Sequence, residues 1–434
     1  MSRPASVARI AAVAAAVAVI VPSAAIARTA VTGFETITRT FDVQGAAAEI
    51  AAVTPDGRTL LYTSAGDGTL GFVDISNPSA PVEAAPLALS GEPTSVGVTK
   101  DGAYALVVVD TSAGDFVDPS GYLAAVDLAD RTVERTWQLG GQPDAIAVSP
   151  SGKYAAIVIE NQRDEDLDPD GDGPIPLGGM PQEPAGRLAI VDLADDPDEW
   201  GLRTTPLAGL PGLRFPADPE PEYVDIAPND TAAVTLQENN AVVLVNLKTG
   251  LVVTSWSAGS TTHAADLTDD GGISFTESLT ARREPDAIAW TPAGSLVTAN
   301  EGDYPDEDGQ LPAGSRDFAV FDALGTVIFE PGVGFEQALG SSYADGRSDN
   351  RGSEPEGVEV GQYTGATFLF VGAERANAVV VYRIRGTEPP QYVQTLRTGT
   401  RPEGLLAIPQ RNLFVTANEA GGGTISIFRA VSGS

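Results

Sequence analysis

The sequence predicts an all-β fold, a seven-bladed β-propeller whose ring is closed by the N-terminal strand pairing with the last blade. Three observations predict it. First, one phrase recurs along the chain: a proline, an acidic residue, a short apolar run, then a turn rich in Pro, Asp and Gly. Its clearest copy is Ser353-Glu354-Pro355-Glu356-Gly357-Val358-Glu359-Val360. Other copies are Pro143-Asp144-Ala145-Ile146, Pro221-Glu222-Tyr223-Val224, Pro285-Asp286-Ala287-Ile288 and Pro402-Glu403-Gly404-Leu405. Pro93-Thr94-Ser95-Val96 lacks the acid and Ala48-Glu49-Ile50-Ala51 lacks the proline, which makes seven units. Second, each unit holds short apolar or β-branched runs separated by tight turns, as the strands of a blade are. Third, the last unit is one strand short, and an orphan strand stands at the start of the chain.

The elements follow in order. Residues 1–27 read as an export signal: Arg3 and Arg9 precede an apolar run from Ile10 to Val21, Pro22 breaks it, and Ala25-Ile26-Ala27 offers small residues for cleavage. That run is too short to stay in a bilayer as a helix. The propeller then occupies residues 33–434. Glu35-Thr36-Ile37-Thr38-Arg39-Thr40-Phe41 alternates and reads as a strand. Unit one runs through the turn Pro55-Asp56-Gly57 to Leu60-Leu61-Tyr62-Thr63 and Leu70-Gly71-Phe72-Val73. Units two and three repeat the plan. The last unit supplies Leu405-Leu406-Ala407-Ile408, Leu413-Phe414-Val415-Thr416 and Thr424-Ile425-Ser426-Ile427-Phe428, and the chain stops. The orphan strand resembles fourth strands elsewhere, such as Thr132-Val133-Glu134-Arg135-Thr136-Trp137, and its pairing there removes an exposed edge. No helical periodicity is read in the propeller.

Unit spacing is uneven, and the excess is read as inserts at residues 161–186, 195–219, 260–283, 302–315 and 333–353. Each falls after a second or a fourth strand. Strand direction alternates, so these loops share one face. Elaborated loops on one rim of a rigid scaffold are where function concentrates.

Composition narrows the chemistry. The 434 residues carry 59 acidic and 26 basic side chains, a net charge of −33. Bulk electrostatics then disfavour nucleic acid and anionic lipid, and they attract cations. No cysteine is present, which excludes disulfides, thiolate metal sites and cysteine nucleophiles. His263 is the one histidine, read as a solvated loop residue, so chemistry needing two histidines is excluded.

The acid of each phrase falls at the start of the innermost strand: Glu49, Asp144, Glu222, Asp286, Glu356 and Glu403. A second set ends the second strand: Asp110, Glu160, Glu238, Glu301, Glu374 and Glu419. The start of one strand and the end of its antiparallel neighbour adjoin, so both sets gather at one end of the ring. Two readings stay open. The acids cap turns by accepting backbone N–H groups, or they hold a cation that relieves their repulsion, for which hard oxygen ligands favour Ca²⁺. The residues singled out as metal ligands are Glu222, Glu238, Asp286, Glu301, Glu356, Glu374, Glu403 and Glu419, with Asn161, Asn239, Asn300 and Asn418 beside them as further oxygen donors. Asp164-Glu165-Asp166-Leu167-Asp168-Pro169-Asp170-Gly171-Asp172-Gly173 and Asp303-Tyr304-Pro305-Asp306-Glu307-Asp308-Gly309 read as calcium-ordered or solvated acidic loops. Asp74, Asp127, Asp192 and Asp322, late in third strands, read as turn caps on the opposite face.

Arg283, Arg351, Arg375 and Arg401 stand beside the acids. They either neutralise them or clamp a phosphate or carboxylate. Two functions are carried forward. One is a secreted Ca²⁺-binding module that acts as an extracellular binding or scaffold unit through its acidic face. The other is a Ca²⁺-dependent phosphoesterase in which a metal-bound water attacks. Catalytic residues are not assigned, and whether the chain is an enzyme stays open. The expected partner is an extracellular ligand or phosphoester, and a monomer is expected.

Arg283-Glu284-Pro285-Asp286-Ala287-Ile288-Ala289-Trp290, Thr298-Ala299-Asn300-Glu301-Gly302-Asp303, Arg347-Ser348-Asp349-Asn350 with Glu354-Pro355-Glu356-Gly357, and Glu374-Arg375-Ala376-Asn377 carry a resemblance. They resemble the choice-of-anchor I secreted propellers, bacterial relatives of mesenchyme-specific cell-surface glycoproteins. The likeness spans most of the chain and is strongest from Glu222 onward. It implies a secreted propeller, and alkaline phosphatase-like or phytase-like activity as labelled in related sequences. No anchor is read in Val431-Ser432-Gly433-Ser434, which implies release.

Overall fold

Proline at or near the start of the innermost strand marks the beginning of every blade but the first. That strand pairs on one side only, so a missing N–H costs no ladder bond. In the computed structural model, which describes residues 29–164, 181–301, 312, 314–340 and 342–433, seven four-stranded antiparallel sheets form seven blades. The expected signal segment, the acidic loop from Glu165 onward and the Asp303–Gly309 loop lie outside the described residues.

Blade 1 comprises Ala51–Val53, Thr59–Ser64, Thr69–Asp74 and Val82–Ala88. Blade 2 comprises Glu92–Val98, Tyr104–Asp110, Gly121–Asp127 and Thr132–Gln138, and blade 3 Pro143–Val148, Tyr154–Ile159, Arg187–Asp192 and Gly201–Pro206. Blade 4 is built from Pro221–Ile226, Thr231–Leu236, Ala241–Asn246 and Leu251–Ser257, and blade 5 from Ile288–Trp290, Leu296–Asn300, Asp317–Phe321 and Val327–Phe329. Val358–Tyr363, Ala366–Ala373, Ala378–Ile384 and Gln391–Arg397 make blade 6. Blade 7 takes Thr400–Ile408, Leu413–Ala420 and Thr424–Ser432 from the end of the chain, and Val31–Asp42 from its beginning.

The closure expected from the sequence is present: Val31 pairs with Ser432, Thr36 with Phe428 and Asp42 with Thr424. Each innermost strand packs against those of the two adjacent blades, blade 7 against blade 1 included, so the ring is complete. The core is divided accordingly. Seven buried apolar clusters each bridge two neighbouring blades. In the one that joins blades 6 and 7, Phe34 of the N-terminal strand meets Tyr363, Phe368 and Phe370 edge-on, each at 5.1 Å. Polar groups stitch the inner strands as well: Asp225 accepts the Trp290 N–H at 2.7 Å, and Thr94 donates to the Pro143 carbonyl at 3.1 Å.

On the plain face the turns after first strands share one device. Thr54 and Thr99 donate to Asp56 and Asp101 at 2.6 and 2.7 Å, and Gly57 and Gly102 supply the left-handed backbone, φ 70° and 76°. The late third-strand aspartates stay on this face as read. Asp74, Asp127 and Asp322 accept nearby backbone N–H groups, and Asp192 pairs with Arg203 at 2.9 Å.

Four expectations need correction. Residues 195–219 are not one insert, because Gly201–Pro206 completes blade 3. Residues 260–283 are a hairpin, Ser260–Ala265 with Glu277–Arg282. His263 therefore sits on a strand, half-buried, its Nε2 2.8 Å from the Ser315 carbonyl oxygen. Residues 333–353 include a short helix, Val333–Leu339, whose Phe335 and Leu339 fill the core between blades 5 and 6. Seven residues span too few turns to show a period in the sequence.

Candidate functional site: an acidic channel mouth

The inner strands do not run regularly through the repeated phrase. Their pairing slips between Pro143 and Ile146, between Pro221 and Val224, and between Pro402 and Leu405. Each slip is a bulge, and a bulge re-aims the side chain it carries. The residues so placed are Asp144, Glu222 and Glu403. In blades 1, 5 and 6 the acid precedes its strand, as Glu49, Asp286 and Glu356 do.

A cavity of about 310 Å³ lies where these strands converge. Asp144, Glu222, Asp286, Glu301, Glu356 and Glu403 line it together with Thr94, Tyr223 and Gln237. Six carboxylates thus face one space, and no Lys, Arg or His is among its described lining residues. Five of the six fall into groups whose carboxylate oxygens lie within 4.8 Å of one another: Asp144 and Glu222 with Glu160 between blades 3 and 4, and Asp286, Glu301 and Glu356 between blades 5 and 6. A third group, Glu301, Glu354 and Glu374, continues from the second toward the rim. At an effective dielectric near 20, two charges so spaced repel by ~3.5 kcal/mol. Three such pairs rival the ~5–15 kcal/mol by which a folded domain is stable. The groups cannot all be charged without a counter-charge.

The proton affinities reflect this crowding. Burial, then the charges of Glu160, Asp144 and Glu238, hold the Glu222 carboxyl well above the ordinary range. Burial and Glu301, Glu403 and Asp286 do the same to Glu356; burial, Glu49 and Glu419 do so to Glu403. Burial and the Asp110 charge push Asp144 up to about 7. Glu49 is also pushed up to about 7, mainly by burial, although it accepts the Ala65 N–H at 3.0 Å. Burial raises Glu374 too, against the pull of Arg375 and Arg401.

All eight carboxylates singled out in the sequence gather at this end. Glu222, Asp286, Glu301, Glu356 and Glu403 line the cavity. Glu238 and Glu374 are buried behind it, at 6% and 4% exposure, and Glu419 is part-exposed on the rim beside Arg401. The asparagines have other work. Asn161 and Asn239 accept the N–H groups of Gln142 and Glu220 at 2.9 and 2.8 Å, and Asn300 and Asn418 accept the hydroxyls of Thr298 and Thr416 at 2.8 and 2.9 Å. These oxygens have donors of their own, and none of the four asparagines lines the cavity.

The arginines separate. Arg283 is buried, donating to the Ala258 carbonyl at 2.6 Å and pairing with Glu330. Arg375 and Arg401 meet on blades 6 and 7, where Arg347 joins them and Arg351 adds to the local positive charge. Sequence reading passed over the acids before the prolines. Glu284 and Glu354 are 0% and 1% exposed. Both adopt left-handed backbone, φ 45° and 49°, as does Arg401 before Pro402, φ 57°. Residues before proline favour extended backbone, so this conformation is held by the surroundings. Glu284 takes Arg282 at 2.5 Å and Arg214 at 3.5 Å; Glu354 takes Arg375 at 2.6 Å and Arg347. The signal was the shared string Glu-Pro-acid at Glu284-Pro285-Asp286 and Glu354-Pro355-Glu356.

A model of the choice-of-anchor I domain matches residues 49–310 and 306–387. The chain belongs to the choice-of-anchor I family. That match takes in every blade's phrase except the last, and with it most of the acidic mouth. Solved structures of similar fold include hydrazine synthase of Kuenenia stuttgartiensis, with a TM-score of 0.58 and 14% identity over 91% of this chain and 98% of that one. The β-propeller domain of Myceliophteria thermophila Cps50 (Swd1) gives 0.55 and 13%, over 91% and 99%. U3-55K gives 0.59 and 8%, over 91% and 99%. At such identities the likeness concerns the fold alone. A search of curated proteins gives no match. No helix among the described residues is long and apolar enough to cross a membrane.

Proposed function

We propose that this choice-of-anchor I propeller is an exported, extracellular or cell-surface binding module whose channel mouth holds Ca²⁺. One observation carries the reading: six carboxylates line one cavity with no basic side chain among its described lining residues. Burial favours neutralisation, and a divalent ion supplies it without protons. Carboxylates with neighbouring carbonyls suit a hard cation, and Ca²⁺ accepts irregular oxygen sets better than Mg²⁺ does. Glu222, Asp286, Glu301, Glu356 and Glu403 are the ligands in reach of the cavity, with Asp144 and Glu160 completing the group between blades 3 and 4.

The surroundings favour binding over hydrolysis. Arg283 is engaged by Glu330 and lies outside the cavity lining. His263 is outside the cavity lining and faces the Ser315 carbonyl. The test is thermal unfolding of the whole chain with Ca²⁺ and with chelator, alongside hydrolysis of a generic phosphomonoester and phosphodiester. A rise in Tm with Ca²⁺ and no turnover is expected. An unchanged Tm overturns the cation site, and turnover that tracks the metal replaces the binding module with a phosphoesterase.

A further inference from the structure

The arginines of blades 6 and 7 add a second ligand chemistry to this mouth. Arg375 Nε lies 2.6 Å from Glu354 Oε2 and 3.0 Å from Glu374 Oε2. Arg347 pairs with the other oxygen of Glu354. Arg401 Nε lies 3.2 Å from Glu374 Oε1, and its Nη1 3.4 Å from Glu419 Oε2. Three guanidiniums therefore hold all four oxygens of two buried carboxylates. The guanidiniums themselves stay part-open: the side chains of Arg347, Arg375 and Arg401 keep 29%, 28% and 40% of their surface. They also crowd one another. After burial, the nearby charges of Arg375 and Arg351 are what lower the proton affinity of Arg347 most.

The same two carboxylates form a group with Glu301, which lines the cavity. One set of oxygens thus has two claimants, the arginine row and a cation in the channel, and each oxygen turned toward the ion is drawn away from its guanidinium. We propose that the row Arg347, Arg375 and Arg401 is an oxyanion-binding edge, opened when a divalent cation takes Glu354 and Glu374 from it. The proposal rests on the cation reading above, extended to the group Glu301, Glu354 and Glu374, and names its ligand: a molecule bearing a sulfate, phosphate or carboxylate group, bound beside the ion.

The physical argument is an exchange of partners. Glu354 and Glu374 each face two guanidiniums; a dication matches that charge in one ion and approaches a carboxylate oxygen more closely, at ~2.3–2.6 Å. A guanidinium keeps its charge when displaced, so it then needs a new acceptor. Its planar fork of donors matches an oxyanion better than a lysine ammonium would. In the absence of the cation the row is closed by its own glutamates, and the edge has little call for an anion. Cation and oxyanion are then linked, each raising the other's affinity by the same factor.

Inorganic sulfate is the probe, because it stays soluble with Ca²⁺ at millimolar concentration. Calorimetric titration of the whole chain at constant ionic strength, with Ca²⁺ and with chelator, should show sulfate bound at least tenfold more tightly with the metal. Saturating sulfate should strengthen Ca²⁺ binding equally. Arg401→Gln and Arg375→Lys should each weaken sulfate at least fivefold while Ca²⁺ binds as tightly or more tightly, since a competitor is weakened; a purely structural role for the row would lower Ca²⁺ affinity or leave both unchanged. The wild-type linkage needs no variant, so a variant that fails to fold leaves the test intact. Ca²⁺ binding with no sulfate binding, or with sulfate binding indifferent to Ca²⁺, overturns this proposal and leaves the cation site standing. No Ca²⁺ binding at all overturns both.

Discussion

Glu356 shows what a single residue does here. It is placed before its strand and lines the cavity, and burial with the charges of Glu301 and Glu403 raises its carboxyl well above the ordinary range. Glu222 stands in the same position on the other side. Replacing either by Gln removes the charge that the fold resists and one ligand oxygen's charge together. Glu356→Gln and Glu222→Gln should therefore raise metal-free stability by about 1–3 kcal/mol, the order of one relieved charge pair. Each should weaken Ca²⁺ binding tenfold or more, read by urea unfolding and calorimetry on the same samples. Asp74→Asn, on the plain face, should leave Ca²⁺ affinity unchanged, because Asp74 accepts the Ser76 N–H far from the mouth. Titration follows the same logic. Asp144 and Glu49 are pushed up to about 7 in the fold, so between the ordinary carboxylate range and pH 7 the folded chain binds more protons than the unfolded one. Stability must then fall as pH rises through that window. Metal-free protein should melt higher at pH 5 than at pH 8, and saturating Ca²⁺ should narrow or reverse the gap; a flat metal-free profile would contradict the crowding.

At the scale of elements, the strand that closes the ring and the bulges that open the mouth matter most. Val31–Asp42 supplies blade 7 with its outer strand and sends Phe34, 5% exposed, into the aromatic cluster between blades 6 and 7. Phe34→Ala should cost about 3–5 kcal/mol, the usual price of emptying a buried aromatic site. Deleting residues 31–42 should unfold the domain cooperatively, since it exposes both blade 7's edge and that core. Unchanged thermal unfolding would remove the strand from the closure. Much of this was legible. The fourth-strand likeness of Thr36-Ile37-Thr38-Arg39-Thr40-Phe41 pointed to the vacancy that Thr424–Ser432 fills. The bulges were not legible, because a slip of one register depends on how two strands meet and leaves no fixed string. The Val333–Leu339 helix and the Ser260–Ala265 hairpin were missed for a related reason. Both are short; the helix is held by the core it enters through Phe335 and Leu339, and the hairpin by pairing two segments that the sequence separates by eleven residues.

The whole molecule explains why the site is built from repetition. Seven blades bring the same position of seven units to one axis, so a carboxylate repeated along the chain becomes a ring in space. The apolar clusters lie between blades, which leaves the axis free for polar groups. The rigid ring also holds its charges close, since each inner strand is braced by the next. Ca²⁺ binding should accordingly raise the stability of the entire ring, by about 2.7 kcal/mol at a hundredfold excess over its Kd.

The sequence by itself determined the fold class, the number of blades, the closing strand and the end of the ring where the acids gather. These follow from periodic signals, because strand alternation, turn residues and the repeated phrase are local and recur. Only the tertiary structure decided which acids meet. Asp144 and Glu160 join Glu222, and Glu354 joins Glu301 and Glu374, through spacings set by bulges and by left-handed residues before proline. It likewise separated Arg283 from Arg375 and Arg401, and gave the asparagine oxygens hydrogen-bond donors outside the cavity lining. Distances between residues on different blades depend on how the blades pack, and packing is a property of the closed ring rather than of any one segment.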